Sequence, residues 1–472
     1  MEITGILNGT HLRKTAVWEG MDAAFCVVFA RNSMPGPDHR FYFSSPIHEP
    51  DLNGSGRFRI DYETTNSLSI ARVEKQPWLL KTLSLGTWLD VEVMEGLMNP
   101  ELKTLIDRWL EWDLTGNQTG EGYNRAPRTP KGPGSPQKWV KFLAKLPVFE
   151  VPDAGYRIEY ASLRTYGDTY GTNSEGEVSA NMPRREELFQ QPLVIVSRAP
   201  GDDEFAPHAY VANKPVAFSK SFYGYSCAGH AEAETLAALI FLLAHSTLFR
   251  YFALMVSVSQ GVDYMLFTKR DFDALPFPDL AKLPTATKTT IRTLAHRLQH
   301  DASKPWQEMN EFIFRLYGLD ADAVQVAEDT LFAAASYRKA GKAALDRTTR
   351  DTRAGFVQAL RGELEPFFEV CGEHAAVREA EFQVDTWREP WFFLAVSREA
   401  HSVPVNQSLM RKAMEAANQR GCSRIIVHAP GKRGLLIGLL NQRRWWTVTR
   451  ARLCAQHIIR ERLGAFGLPE DA

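Results

Sequence analysis

Apolar residues crowd without polar alternation along Phe25-Cys26-Val27-Val28-Phe29-Ala30, closed by Arg31-Asn32-Ser33. Such a run predicts a strand buried on both faces of a sheet. Ile3-Thr4-Gly5-Ile6-Leu7 before it, and Arg40-Phe41-Tyr42-Phe43 after the turn residues Met34 to Asp38, predict neighbouring strands, so residues 1–70 are expected to be β-rich. The period then changes. Leu79, Leu80, Leu83, Leu102, Leu105, Ile106 and Trp109 recur at three-to-four spacing, which predicts two helices broken near Asn99-Pro100. A linker rich in Gly, Pro and Thr, TGNQTGEGYNRAPRTPKGPGSPQ, follows.

Past the linker the pattern is mixed. Pro192 to Arg198 predicts a short strand, and Leu236, Leu239, Ile240, Leu243 and Phe252 predict one helix from about Ala231 to Phe252. Phe272-Asp273-Ala274-Leu275-Pro276-Phe277-Pro278 ends regular structure, because two prolines remove backbone donors. Residues 286–346 read as helical, with Met309, Phe312, Ile313, Leu316 and Tyr317 on one face. The last stretch alternates helix and strand over Trp391 to Val396, Ser408 to Gln419, Arg424 to Val427 and Leu435 to Leu440, with a final helix near Thr449 to Leu463. No repeat of fixed period is present.

With 472 residues, 44% of them hydrophobic, the chain can bury a large core and has the length of roughly two to four domains. Its longest apolar run, Leu236 to Ala244, is far shorter than the ~20 residues of a membrane helix. The N-terminus lacks the basic flank and apolar stretch of a secretory signal, so no membrane partner and a cytoplasmic location are expected. The five cysteines (Cys26, Cys227, Cys371, Cys422, Cys454) form no Cys-x-x-Cys pair and are expected to be reduced.

The formal net charge is −1, so bulk charge neither demands nor excludes nucleic acid. Its distribution is uneven. Arg125, Arg128, Lys131, Lys138, Lys141 and Lys145 follow one another with no acid between them and with Trp139 among them; Lys432 to Arg462 carries eight Lys or Arg against Glu461 alone. Basic residues beside aromatics suit contact with phosphates, where each cation releases condensed counterions. A solvated linker and a solvated helix face would show the same composition, and both readings stand at this level.

The chemistry of catalysis is missing. Asn53-Gly54-Ser55-Gly56 does not sit between a strand and a helix, and neither Gly341-Lys342 nor Gly431-Lys432 completes a phosphate loop. A metal-dependent nuclease core from Pro50-Asp51 and Glu101-Leu102-Lys103 is disfavoured, since the second pair falls on a predicted helix far along the chain. The twelve histidines have no metal-ligand spacing, and no metal site is expected.

Several separated stretches carry a resemblance. Leu12-Arg13-Lys14-Thr15 and Val17-Trp18-Glu19-Gly20-Met21-Asp22 through Asn32 are similar to the closing strands of the catalytic domain in TaqI-like adenine-specific DNA methyltransferases of restriction-modification systems. Gly122-Tyr123-Asn124-Arg125, Lys145-Leu146-Pro147-Val148 and Pro192 to Arg198 resemble the entry to that family's target-recognition domain. Leu243 to Leu248, Ser259-Gln260-Gly261 and Leu275-Pro276-Phe277-Pro278 resemble its closing helix and exit, and Asn310 to Leu319 a helix that follows it. The order of these stretches is the family's order. The family's Gly-rich cofactor turn and its catalytic Asn-Pro-Pro-aromatic motif would lie before residue 1, and neither occurs in the chain; Glu389-Pro390-Trp391 has one proline and the wrong first residue. A methylated adenine must be flipped, stacked and held by acceptors at its amino group, so no catalytic or cofactor-binding residue is assigned.

The resemblance implies a multi-domain α+β protein: residues 1–70 as a remnant of a methyltransferase sheet, 71–113 a helical connector, 114–280 a mixed α/β target-recognition domain, 281–355 a helical segment and 356–472 a small C-terminal α/β unit. The implied function is DNA sequence recognition, with double-stranded DNA and a methyltransferase catalytic half or partner subunit as partners. S-adenosyl-L-methionine is expected in that other half and no cofactor in this chain. A non-catalytic specificity subunit, or a decayed fragment acting as an interaction scaffold, are the alternatives. Arg125, Arg128, Lys131 and Lys138 are the candidates for phosphate contact. Arg164, Lys220, Tyr223 and Tyr225 are those for base or groove contact, the last three in the loop-rich stretch FSKSFYGYS. Exposed loop polarity and satisfied tyrosines would look alike in sequence. Trp445-Trp446 beside Arg443-Arg444 could stack on bases, but capping the C-terminal unit is the preferred reading.

Overall fold

The computed structural model describes residues 1–99, 102–125, 138–151, 155–200, 207–257, 267–301, 303–334, 343–380, 391–401, 403, 405, 407–420 and 422–467. The protein is mixed α+β and multi-domain, with two compact units: residues 1–93 together with 321–472, and residues 94–320.

The first unit begins with β1 (Glu2–Asn8), β2 (Cys26–Arg31), β3 (Arg40–Ser44) and β4 (Thr65–Ser69), in the order β2-β1-β3-β4. β1 pairs antiparallel with β2 and parallel with β3. Its core lies under β3 and β4, where Phe41, Phe43 and Leu68 meet Leu79, Leu83 and Val91. The predicted strand at Phe25 to Ala30 therefore exists, but it is not buried on both faces. β2 is an edge strand away from that core, and its Val28 and Phe29 are 49% and 54% exposed. Residues 77–113 form three helices rather than two, Leu79–Leu85, Trp88–Leu97 and Leu105–Glu111. The additional break falls at Gly86-Thr87, where the Asp90 carboxylate accepts from the Thr87 backbone N–H at 2.6 Å and starts a new helix.

The second unit holds β5 (Thr119–Glu121), β6 (Asn124–Arg125), β7 (Lys138–Val140), β8 (Val178–Met182), β9 (Leu193–Pro200), β10 (Pro207–Ala212) and β11 (Phe222–Ser226). They make two antiparallel sheets, β10-β9-β11-β5 and β6-β8-β7, sharing a core that includes Tyr123, Tyr166, Phe189, Ile195, Tyr210 and Phe218. The single helix expected from Ala231 to Phe252 is two, Ala233–His245 and Thr247–Val256, bent by 68°. Ser246 breaks it: its backbone is extended and its hydroxyl oxygen accepts from the Phe249 N–H at 3.1 Å, the geometry in which serine competes with a continuing helix. Both pieces are almost wholly buried. Among the described residues no single helix is long and apolar enough to cross a membrane. Helices Thr285–His300 and Trp306–Leu316 pack against this bent pair.

The chain then returns to the first unit through the helices Ala321–Ala334 and Arg350–Val370 and a second sheet. β12 (Ala375–Glu379), β13 (Trp391–Arg398), β14 (Arg424–His428) and β15 (Leu435–Leu440) run antiparallel in the order β12-β13-β15-β14. Every residue of β15 is buried, so the two-face burial absent from β2 is realised here. The turn into β15 requires glycine: Gly434 has φ +131°, and a Cβ there would stand 2.1 Å from the Val396 carbonyl oxygen. Trp445 and Trp446 are each 2% exposed, the latter donating to the Leu440 carbonyl at 2.9 Å. They belong to the core of this sheet and its helices, not to a stacking surface.

Candidate nucleic-acid interface

The short sheet β6-β8-β7 collects the basic linker's flanks. Arg125 on β6 and Lys138 on β7 are registered opposite the same residue, Ala180 of the central β8, one from each side. Two positions far apart along the linker are thus brought to one level of one sheet. Lys138 and Trp139 are exposed. Arg128 and Lys131 lie outside the described residues.

Beside this sheet is an open cleft of about 570 Å³, lined among others by Asn117, Lys138, Asn181, Met182, Arg184 and Arg185. Glu121 is its carboxylate, against the three cations Lys138, Arg184 and Arg185. Glu121 is itself shared, with Arg184 at 2.9 Å and Arg198 at 3.0 Å. Arg184 is locked: its backbone is left-handed at φ +69°, costing a non-glycine residue roughly 1–2 kcal/mol, and its Nε donates to the Gly122 carbonyl at 3.0 Å. Gly122 itself packs closely against the chain before β11, where a Cβ would lie 2.0 Å from the Phe218 carbonyl oxygen. Arg198 stacks 5.3 Å from the Tyr223 ring centroid and donates to the Lys220 carbonyl at 3.3 Å. Arg184 and Arg198 are fixed on Glu121, while Lys138 and Arg185 are exposed and have no carboxylate at ion-pair distance among the described residues, so the cleft lining carries more positive than negative charge.

The base-contact candidates divide. Lys220 is exposed and adjoins the Arg198 and Glu121 group. Arg164 is exposed too, but it is held through its backbone, whose carbonyl accepts from the Val148 N–H at 2.8 Å, and it does not line the cleft. Tyr223 and Tyr225 are corrections. They sit on β11, a central strand rather than a loop, and are 3% and 1% exposed. The Tyr225 hydroxyl donates to Asp273 at 3.3 Å; burial, with Asp273 beside it, holds its pKa well above the ordinary value. Buried rings already packed on neighbours have no edge to offer a base. Arg184, Arg185, Arg198, Asn117 and Asn181 are not singled out by sequence reasoning. The available signal is the Arg184-Arg185 pair, masked by Glu186-Glu187 immediately after it.

Part of the second basic stretch is consumed internally. Arg450 pairs with Glu63 at 3.1 Å, Arg452 with Asp322 and with Glu363 at 3.2 Å, and Arg444 is 4% exposed. Among the described residues one group has metal-ligating atoms close together, Glu365, Glu369 and His374, within 4.8 Å of one another. The Glu365 and His374 ion pair at 2.6 Å accounts for that proximity, and the hydrogen bond between them raises the His374 pKa. The five cysteines are unpaired.

The fold is mixed α+β and multi-domain, and the cleft of the second unit is lined by three cations and one carboxylate. No family model matches the chain, and no curated protein matches it. Among solved structures, that of the type IIG restriction endonuclease BpuSI is similar at a TM-score of 0.32 and 10% sequence identity, over 71% of this chain and 44% of that one. The chain spans less than half the length of that enzyme.

Proposed function

We propose that residues 94–320 contact duplex DNA through the cleft beside β6-β8-β7, and that the protein supplies sequence recognition to an adenine-specific DNA methyltransferase whose cofactor and catalytic motifs lie outside this chain. The observation that carries the reading is the convergence of Arg125 and Lys138 on Ala180, next to the locked Arg184 and the exposed Arg185. The ordered sequence resemblances support the methyltransferase half. In this reading Lys138 and Arg185 hold phosphates and set register, Asn117 and Asn181 are placed where amide groups can read base edges, and Arg184 and Arg198 stay bound to Glu121 and shape the groove. A partner chain binds S-adenosyl-L-methionine and performs the transfer.

The test is duplex binding under a salt titration. Log K is expected to fall linearly with log salt, and Lys138→Ala with Arg185→Ala is expected to lower the slope by about 0.9 for each phosphate no longer neutralised, equally for all sequences. Salt-insensitive or absent binding overturns the reading. The purified chain is expected to bind no S-adenosyl-L-methionine, and saturable binding in calorimetry overturns the assignment of catalysis to a partner.

A further inference from the structure

The first unit contains a separate cleft of about 440 Å³, of the size that encloses small ligands. Its floor is ionic. Glu63, its carboxylate almost wholly buried, is shared by two guanidinium groups: Arg424 on β14, at 2.7 Å and itself 5% exposed, and Arg450 on the helix Val448–Glu461, at 3.1 Å. Both line the cleft. Arg424 is further tied to Tyr62, lying 4.9 Å from its ring centroid and donating to its hydroxyl, and Arg450 lies 4.9 Å from the Trp445 ring centroid. Two cations against one carboxylate leave one surplus positive charge largely out of water. An uncompensated buried charge is costly, and an anion in the cleft relieves it.

The rim extends the same chemistry. Arg460, just beyond His457 on the same helix, is exposed at the cleft and has no carboxylate at ion-pair distance among the described residues. Glu92 and Glu461 also lie on the rim, both exposed, where water screens them far more than it screens the floor. Trp88, 36% exposed, stands on the lining with the Arg72 guanidinium 5.0 Å from its ring centroid. Asn66, Ser67, Thr87 and Gln456 supply neutral hydrogen-bonding groups.

We propose that this cleft binds a small phosphate-bearing planar ligand of the nucleoside monophosphate kind, its phosphate on Arg424, Arg450 and Arg460 and its ring against Trp88. The site is independent of the DNA cleft, which belongs to the other unit.

Calorimetry on the full chain with AMP, adenosine and inorganic phosphate as probes tests it. AMP is expected to bind at least tenfold more tightly than inorganic phosphate, and adenosine to give no saturable heat. Arg460→Glu and Trp88→Ala, both at exposed positions and so compatible with folding, are each expected to weaken AMP at least tenfold while leaving duplex binding unchanged. AMP binding no tighter than inorganic phosphate, adenosine binding as tightly as AMP, or AMP binding indifferent to both substitutions overturns the proposal.

Discussion

His245 closes the helix Ala233–His245 inside the second unit, 3% exposed, and folding requires it to be neutral. Its Nε2 stands 3.2 Å from the Ala209 backbone nitrogen and 3.1 Å from the Ala209 carbonyl oxygen. Tyr156, Phe241 and Trp306 surround the ring at centroid distances of 4.2, 4.8 and 5.9 Å. Burial lowers its pKa from 6.5 to about 3; the hydrogen bond with Ala209 opposes that, and His208, Arg250 and Lys304 lower it further. The folded pKa is depressed, so between pH 6.5 and about 3 the unfolded chain takes up a proton that the folded chain refuses. Stability is whole above the unfolded pKa and is lost progressively as pH falls from there towards the folded one. At pH 5 an unfolded histidine of pKa ~6.5 is nearly all protonated, and the loss relative to pH 7 is about 2 kcal/mol. That figure depends on the unfolded pKa alone, provided the buried ring stays neutral at pH 5. Urea unfolding at pH 7 and pH 5, followed by tryptophan fluorescence, measures it. His245→Gln keeps an amide able to bond Ala209 but cannot titrate, so its loss between the two pH values is expected to be smaller than that of the unsubstituted protein by about 2 kcal/mol. His11, also buried, with a pKa lowered to about 3 by burial, is present in both proteins and cancels. Equal losses in the two proteins would show that His245 is not held neutral, and refute the reasoning.

Gly434→Ala is expected to cost at least ~2 kcal/mol, because neither the positive φ nor the Val396 carbonyl oxygen 2.1 Å from the new Cβ can yield cheaply; a thermal melt reads it. Tyr225→Phe removes one buried hydrogen bond to Asp273, so stability is expected to fall by about 1 kcal/mol with no change in DNA sequence preference, and a changed preference in a binding selection would restore the tyrosine to the interface. Phe29→Lys, on the half-exposed edge strand, is expected to leave stability within ~0.5 kcal/mol. Where the edge pairs with a catalytic chain, the same substitution lowers adenine methylation on co-expression, and undiminished methylation places the partner elsewhere.

Hydrophobic pattern locates most of the long elements, because helix and strand periods are local. Its errors are tertiary. Phe25 to Ala30 and Leu435 to Leu440 are both continuous apolar runs, yet one is a half-exposed edge and the other is buried at every position. Period reports which residues can be buried; whether a second layer covers them depends on other segments, here the helices Arg350–Val370 and Val448–Glu461 packed against each other beside the second sheet. Ser246 shows the opposite failure, a local signal outweighed by the long apolar run around it: one side-chain cap bends the chain by 68°, and hydrophobic spacing does not encode caps.

The two basic stretches have equal standing as phosphate contacts in sequence and differ in space. In the second, Arg450 and Arg452 meet Glu63, Asp322 and Glu363, acids from distant parts of the chain, and part of its charge is internal. In the first, Lys138 reaches an open cleft whose single carboxylate, Glu121, is already occupied by Arg184 and Arg198. Charge counted along the chain measures supply; what is left for a ligand is the part that folding does not pair. Among the described residues, Lys138 and Arg185 line one cleft and Arg460 the other with no carboxylate at ion-pair distance. The runs contain Lys138 and Arg460 but do not separate them from the paired Arg450 and Arg452, because the pairing acids come from elsewhere in the chain.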